Sequence, residues 1–136
     1  KRGINPMKFA IVDDDKVFRM TTEFFLKKSP RKTEILLFEN GQVAFDFIRE
    51  HQNNSSFLPD VILLDINMPI VDGWEFLELY SPLQSDLSKN ISIYIVTSSL
   101  DDADRNSAEN HKVVNGFLVK PIGSKELEHI MSAFSL

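Results

Sequence analysis

The sequence predicts a single α/β domain built on a doubly wound, five-stranded parallel sheet. Three observations carry that expectation. Five short apolar runs alternate with five stretches of helical period. One run, Val61 to Leu64, is apolar without a break, as a strand covered on both faces must be. The connections are too short for anything but right-handed parallel crossovers.

Taken in order, Met7 to Val12 reads as the first strand and ends in Asp13-Asp14-Asp15. Lys16 to Lys28 has helical period, with Val17, Met20 and Phe24 on one face, Phe18 and Phe25 widening it, and Ser29-Pro30 marking its end. Glu34 to Phe38 is the second strand. Asn40-Gly41 could signal a hairpin, but Val43, Ala44, Phe47 and Ile48 have helical spacing, so Asn40 reads as an N-cap. His51 to Pro59 is a polar loop before the third strand. Pro69 and Asp72-Gly73 force a loop after it. The third helix runs from Gly73 to Tyr80 and is stopped by Ser81-Pro82, and polar Gln84 to Asn90 leads into the strand Ile91 to Thr97. Leu100 to His111 forms a fourth helix with Asp101 as N-cap and few anchors beyond Leu100, Ala103 and Ala108. Val113 to Val119 is the fifth strand. Ser124 caps the last helix, whose stripe is Leu127, Ile130, Met131 and Phe134.

Bulk properties narrow the function. A chain of 136 residues suits one domain, taken here as residues 7–136 behind a polar arm, residues 1–6, that is native or left from expression. The net charge of -5 argues against direct nucleic-acid binding, which wants a basic surface. The absence of cysteine removes a disulfide framework and fits a cytoplasmic protein. No apolar run approaches the roughly 20 residues of a membrane helix, and no signal-peptide leader is evident. The sequence stops about one turn after the last apolar stripe, which leaves no output domain within it.

Four strands deliver polar residues to one end of the sheet, where ligands of open α/β sheets bind. These are Asp13 and Asp14, Asp65, Thr97 and Ser98, and Lys120. Three crowded carboxylates repel unless protons or a cation neutralise them, and a hard divalent ion such as Mg2+ takes one or two carboxylates, waters and a phosphate oxygen. An ammonium and a hydroxyl supply the charge and donor that a phosphoryl group needs. Together they suit phosphoryl transfer, with a covalent aspartyl phosphate as one established form.

Val12-Asp13-Asp14-Asp15, Leu64-Asp65-Ile66-Asn67-Met68-Pro69 with Asp72-Gly73, Val96-Thr97-Ser98 and Gly116-Phe117-Leu118-Val119-Lys120-Pro121 closely resemble the response-regulator receiver domains, the CheY-like family of two-component signalling. The resemblance runs from about Met7 to the C-terminus. It implies a flavodoxin-like sheet of strand order 2-1-3-4-5. It implies Asp65 as phosphoacceptor, served by a histidine kinase or histidine phosphotransfer protein, in a signalling switch rather than an enzyme. Mg2+, or Mn2+ in its place, would be bound by Asp14 directly, by Asp13 mostly through water, by Asp65 and by the backbone carbonyl of Asn67. Lys120 would contact the phosphoryl group and Thr97 would move toward it. Phe117 would be the switch aromatic, without a phenol hydroxyl. Asn67 and Ser99 would tune the lifetime of the phosphorylated form, with no special protection expected. The fourth helix, fifth strand and fifth helix would form the output face. The oligomeric state would be a monomer or a phosphorylation-dependent dimer, and the downstream target stays open.

Two alternatives compete. Asp13-Asp14-Asp15-Lys16-Val17 also fits the D-x-D-x-[TV] pattern of haloacid-dehalogenase-type phosphohydrolases, with Asp13 as nucleophile and Asp15 as acid/base. That family needs a further acidic metal site after the lysine, and the reading leaves Asp65 unexplained. The other is a pseudo-receiver, an interaction module that works unphosphorylated. His51, His111 and His129 read as ordinary surface histidines.

Overall fold

The structure, a computed structural model, describes residues 6–134, so most of the expected N-terminal arm and the last two residues lie outside it. Five parallel strands, β1 (Met7–Val12), β2 (Thr33–Phe38), β3 (Val61–Leu64), β4 (Ser92–Thr97) and β5 (Val114–Val119), stand in the order β2-β1-β3-β4-β5. Between and after them run α1 (Lys16–Lys27), α2 (Gly41–Glu50), α3 (Gly73–Leu83), α4 (Asp102–Glu109) and α5 (Ser124–Ser132). The expected fold class and strand order are therefore both present.

Strand alternation sorts the core into two layers. Met7, Phe9, Ile11, Val61 and Leu63 pack against Leu26 of α1 and Leu127, Ile130 and Met131 of α5. Ala10, Val12, Ile62, Leu64, Ile93 and Ile95 pack against Ala44 and Ile48 of α2, Phe76, Leu77 and Tyr80 of α3, and Ala108 of α4. All four residues of β3 are buried, as its unbroken apolar run requires.

The caps follow sequence chemistry at most helix starts. Asp15, Asn40 and Asp101 accept from backbone N–H groups at the starts of α1, α2 and α4. Asp72 and Glu75 form a reciprocal capping box at α3, with both bonds at 2.9 Å.

Several expectations are corrected. Val17, Met20 and Phe24 lie outward, 73%, 57% and 57% exposed. Instead α1 buries Thr22 and Leu26, with Phe18 and Phe25 partly covered. Both stripes have helical period, and periodicity alone does not say which one meets the sheet. The third helix does not stop at Tyr80 but runs through Pro82 to Leu83 and into a 3-10 turn. The proline removes the helical donor from the carbonyl of Glu78, an exposed residue. Leu83 and Leu87 beyond it pack on the core. The N-cap of α5 is Gly123 rather than Ser124, and the Gly123 N–H donates to Glu126 Oε1 at 2.9 Å. Leu100 is no anchor, being 81% exposed, and the sole buried residue of α4 is Ala108. Two histidines leave the surface class. His51 stacks on Phe57 with the Phe47 ring tilted against it, and His111 is half-buried with Nε2 at 3.7 Å from Glu78 Oε2. His129 is exposed.

Candidate functional site

The parallel ladder runs one residue beyond the strands and carries the site residues with it. Asp13 N–H donates to Phe38 O at 3.0 Å, Asp65 N–H to Val12 O at 2.9 Å, and Lys120 N–H to Thr97 O at 2.8 Å. Val12 pairs with Leu64, so the next residues, Asp13 and Asp65, emerge side by side from the middle of the sheet. Arg19 of α1 reaches back to donate from Nη1 to Asp13 O at 2.7 Å.

The loop from Asp65 to α3 is pinned at both ends. Gly73 N–H donates to Ile66 O at 3.1 Å, and Gly41 N–H at the start of α2 donates to Val71 O at 3.1 Å. At Gly73 a Cβ would lie 2.5 Å from Asp65 O and 2.6 Å from Ile66 Cα, so only glycine allows this approach. Between these pins Ile70 has φ 69°, in the left-handed region, and is 76% exposed. A β-branched side chain there is strained by roughly 1–2 kcal/mol.

Carboxylate oxygens of Asp13, Asp14 and Asp65 all lie within 4.8 Å of one another. Asp13 and Asp65 are buried and Asp14 is exposed. Lys120 Nζ stands 2.6 Å from Asp13 Oδ2 and 3.9 Å from Asp65 Oδ2. The closer contact is a tight ion pair. Burial pushes Asp65 up to about 6, assisted by the charge of Asp13 and opposed by Lys120 and the Asn67 backbone N–H. Burial also raises Asp13, against the pull of Lys120 and the Asp15 N–H.

A hard divalent cation fits this donor set. The three carboxylates carry more negative charge than the one ammonium against them offsets. Mg2+ takes such oxygens at about 2.1 Å, and one ligand atom from each of the three residues lies within 4.8 Å of the others, close enough to face a common ion.

The burial of Asp65 has a stability consequence. Asp65 moves from 3.8 to about 6 on folding, so the folded chain holds this proton more tightly than the unfolded one. The contribution of Asp65 to metal-free stability should therefore be greatest below about pH 4, fall as pH rises toward 6, and level off above. Asp65→Asn is expected to raise metal-free stability at pH 7 by about 2 kcal/mol, read from urea unfolding in the presence of a chelator. An unchanged midpoint would remove the electrostatic strain.

Of the other expected site residues, Thr97 is fully buried at the end of β4, and its Oγ1 accepts from Ser99 N–H at 3.2 Å. Ser99, Asn67 and Phe117 are not part of the carboxylate cluster. Ser99 Oγ donates to Asp104 Oδ2 at 2.8 Å, tying the end of β4 to the first turn of α4. Asn67 is exposed two residues past Asp65. Phe117 lies within β5, half-buried, with the Arg105 guanidinium 5.0 Å from its ring centroid. Asp15, the acid/base of the phosphohydrolase alternative, serves as the α1 cap.

Sequence reasoning missed four participants: Phe18, whose ring lies under Lys120, Arg19, Gly73 as a contact residue, and Asp104. A signal existed only for Gly73, through its place after Asp72, and it gave a loop rather than a packing constraint.

Comparison with known proteins agrees with this geometry. Residues 9–132 match the response regulator receiver domain family. The chain is 29% identical to a probable methanogenesis regulatory protein FilR2 of Methanothrix harundinacea, over 91% of this chain and 78% of that one. It is 32% identical to the response regulator Rcp1 of Synechocystis, over 90% and 83%. It spans much less of some other curated relatives, such as 19% of the two-component response regulator ORR26 of rice. Among solved structures, a response regulator receiver protein from Dyadobacter fermentans superposes with a TM-score of 0.78 at 31% identity, covering 94% of this chain and 97% of that one. The Mn2+-bound form of Rcp1 superposes at 0.72 with 28% identity, covering 95% and 91%.

Proposed function

Because this chain belongs to the response regulator receiver domain family, we propose that it is a phosphorylation switch whose acceptor is Asp65, phosphorylated in a divalent-metal-dependent reaction by a partner histidine kinase or histidine phosphotransfer protein. The observation that carries the reading is the buried Asp65 carboxylate, set beside Asp13 and Asp14 and within reach of a single ammonium. Mg2+ is the ion proposed. The Mn2+-bound form of Rcp1 supports a divalent ion in such a fold without selecting between the two.

Each residue then has a task. Asp13, Asp14, Asp65 and the Asn67 carbonyl would hold the ion, which when bound offsets the carboxylate charge and that of the phosphoryl oxygens. An Asp65 oxygen forms the new bond to phosphorus as the bond from phosphorus to the donor imidazole nitrogen breaks, and the electron pair returns to the ring. Lys120, held 3.9 Å from Asp65 Oδ2, donates to a phosphoryl oxygen. Thr97 now accepts from Ser99, so its own O–H is free to turn toward the same group. Asn67 is exposed and Ser99 is bound to Asp104, so neither provides a base or a shield over the acyl phosphate. We expect no special protection of the phosphorylated form.

The test is intact mass after incubation with acetyl phosphate, with and without Mg2+, beside Asp65→Asn. A gain of one phosphoryl group that requires both Mg2+ and Asp65 is expected, and the same spectra followed over time read its lifetime. A gain that survives Asp65→Asn would overturn the assignment. Protein that takes up no phosphoryl group and binds neither Mg2+ nor beryllofluoride would favour the pseudo-receiver.

The output face is proposed at α4, β5 and α5. With one buried residue in eight, α4 is loosely held, and its first turn is tied to β4 through Ser99 and Asp104. Amide exchange in α4 is expected to differ between the two phosphorylation states by more than exchange in α2. Equal exchange in both states would place the output elsewhere.

A further inference from the structure

We propose that Phe18 is a positioning residue for Lys120, its ring face holding the ammonium at the carboxylate site. The inference rests on the phosphoacceptor reading above and deepens it. Lys120 Nζ lies 4.4 Å from the centroid of the Phe18 ring, besides its contacts of 2.6 Å with Asp13 and 3.9 Å with Asp65. The lysine side chain is 16% exposed, so the attraction between its charge and the ring quadrupole acts with little water between them.

The chemistry of the two kinds of partner differs. A carboxylate that holds an ammonium occupies its N–H donors and cancels its charge. An aromatic face fixes the ammonium while leaving those donors to an incoming anion. Lysine has a flexible four-carbon stem whose ordering costs rotamer entropy, and a preset position removes part of that cost from the transfer step. Phe18 is itself fixed from two sides. Its N–H donates to the Asp15 cap at 3.3 Å, and its ring packs on the core layer beneath α1 and α5. The acidic triplet thus does two jobs: Asp13 and Asp14 face the site, and Asp15 sets the turn that places Phe18.

The experiment uses the whole chain with Phe18→Leu, which removes the ring, and Phe18→Tyr, which keeps it. In the metal-free protein, NMR should show the Lys120 ε-methylene protons shifted upfield by the ring in wild type and Phe18→Tyr, and unshifted in Phe18→Leu. Phosphoryl uptake from acetyl phosphate at saturating Mg2+ should be about three- to tenfold slower in Phe18→Leu. Phe18→Tyr should remain near wild type. In a Lys120→Met background, Phe18→Leu should bring no further slowing, since the partner is already gone. Urea midpoints confirm that the variants compared are folded. A wild-type shift no different from that of Phe18→Leu overturns the proposal. So does slowing that persists without Lys120, because Phe18 then acts through packing. A wild type that shows the ring shift but takes up no phosphoryl group and binds neither Mg2+ nor beryllofluoride overturns the phosphoacceptor reading, and the positioning role with it. A shift lost with no change in rate overturns the role of Phe18 alone.

Discussion

Lys120→Met is expected to slow phosphoryl uptake from acetyl phosphate by about a hundredfold, the usual consequence of deleting one preorganised donor aimed at developing charge. Two effects act together. The phosphoryl oxygens lose the ammonium that stands 3.9 Å from Asp65, and Asp13 loses its partner at 2.6 Å. Lys120 also holds Asp65 down, so its removal moves the carboxyl above the value of about 6 that it has in the wild type. Part of the rate should therefore return as pH is raised, because the nucleophile is the charged form and the variant needs a higher pH to keep it so. Rates by intact mass across pH 6 to 9 separate the two effects. A flat, wild-type-like profile would remove Lys120 from the reaction.

Gly73→Ala should damage the protein more than its size suggests. The added Cβ would meet Asp65 O at 2.5 Å and Ile66 Cα at 2.6 Å, and neither is the end of a flexible side chain that could swing away. Relief requires moving the start of α3 or the end of β3. A stability loss of about 2–4 kcal/mol by urea unfolding is expected, the scale of an overpacked buried site. Uptake of phosphate by the folded fraction should also fall, because the displaced backbone is that of Asp65. A stable, fully active variant would mean that the loop yields freely.

The end of the sheet at which chemistry gathers was legible because parallel strands force it. Each apolar run ends where its polar residue begins, and parallel pairing carries Asp13, Asp65, Thr97 and Lys120 to one edge. Caps were legible for a similar reason: Asn40 and Asp101 act on N–H groups two or three residues away. Contacts between distant segments were not. The two apolar stripes of α1 have the same period, and only packing against β1, β3 and α5 reveals that Phe18 and Leu26 turn inward while Val17 and Phe24 turn out. Phe18 meets Lys120 across 102 residues of sequence, and no local pattern marks such a pair. The strained Ile70 was equally hidden, since nothing in its composition announces a positive φ.

The bonds that extend the ladder past β1 and β3 divide the molecule mechanically. Asp13 and Asp65 are fastened to neighbouring strands through their own backbones, and the loop after Asp65 is fastened again at Ile66 and Val71. Across the site, α4 is held by Ala108, the Ser99–Asp104 tie and the Arg105 guanidinium over the Phe117 ring of β5. The molecule resembles a vice with one jaw bolted to the bench. If Asp65 is the acceptor, as proposed, a group added there would meet this fastened wall on one side, and displacement would run toward α4. On the proposed reading, the direction of signal would follow from where the frame is stiff.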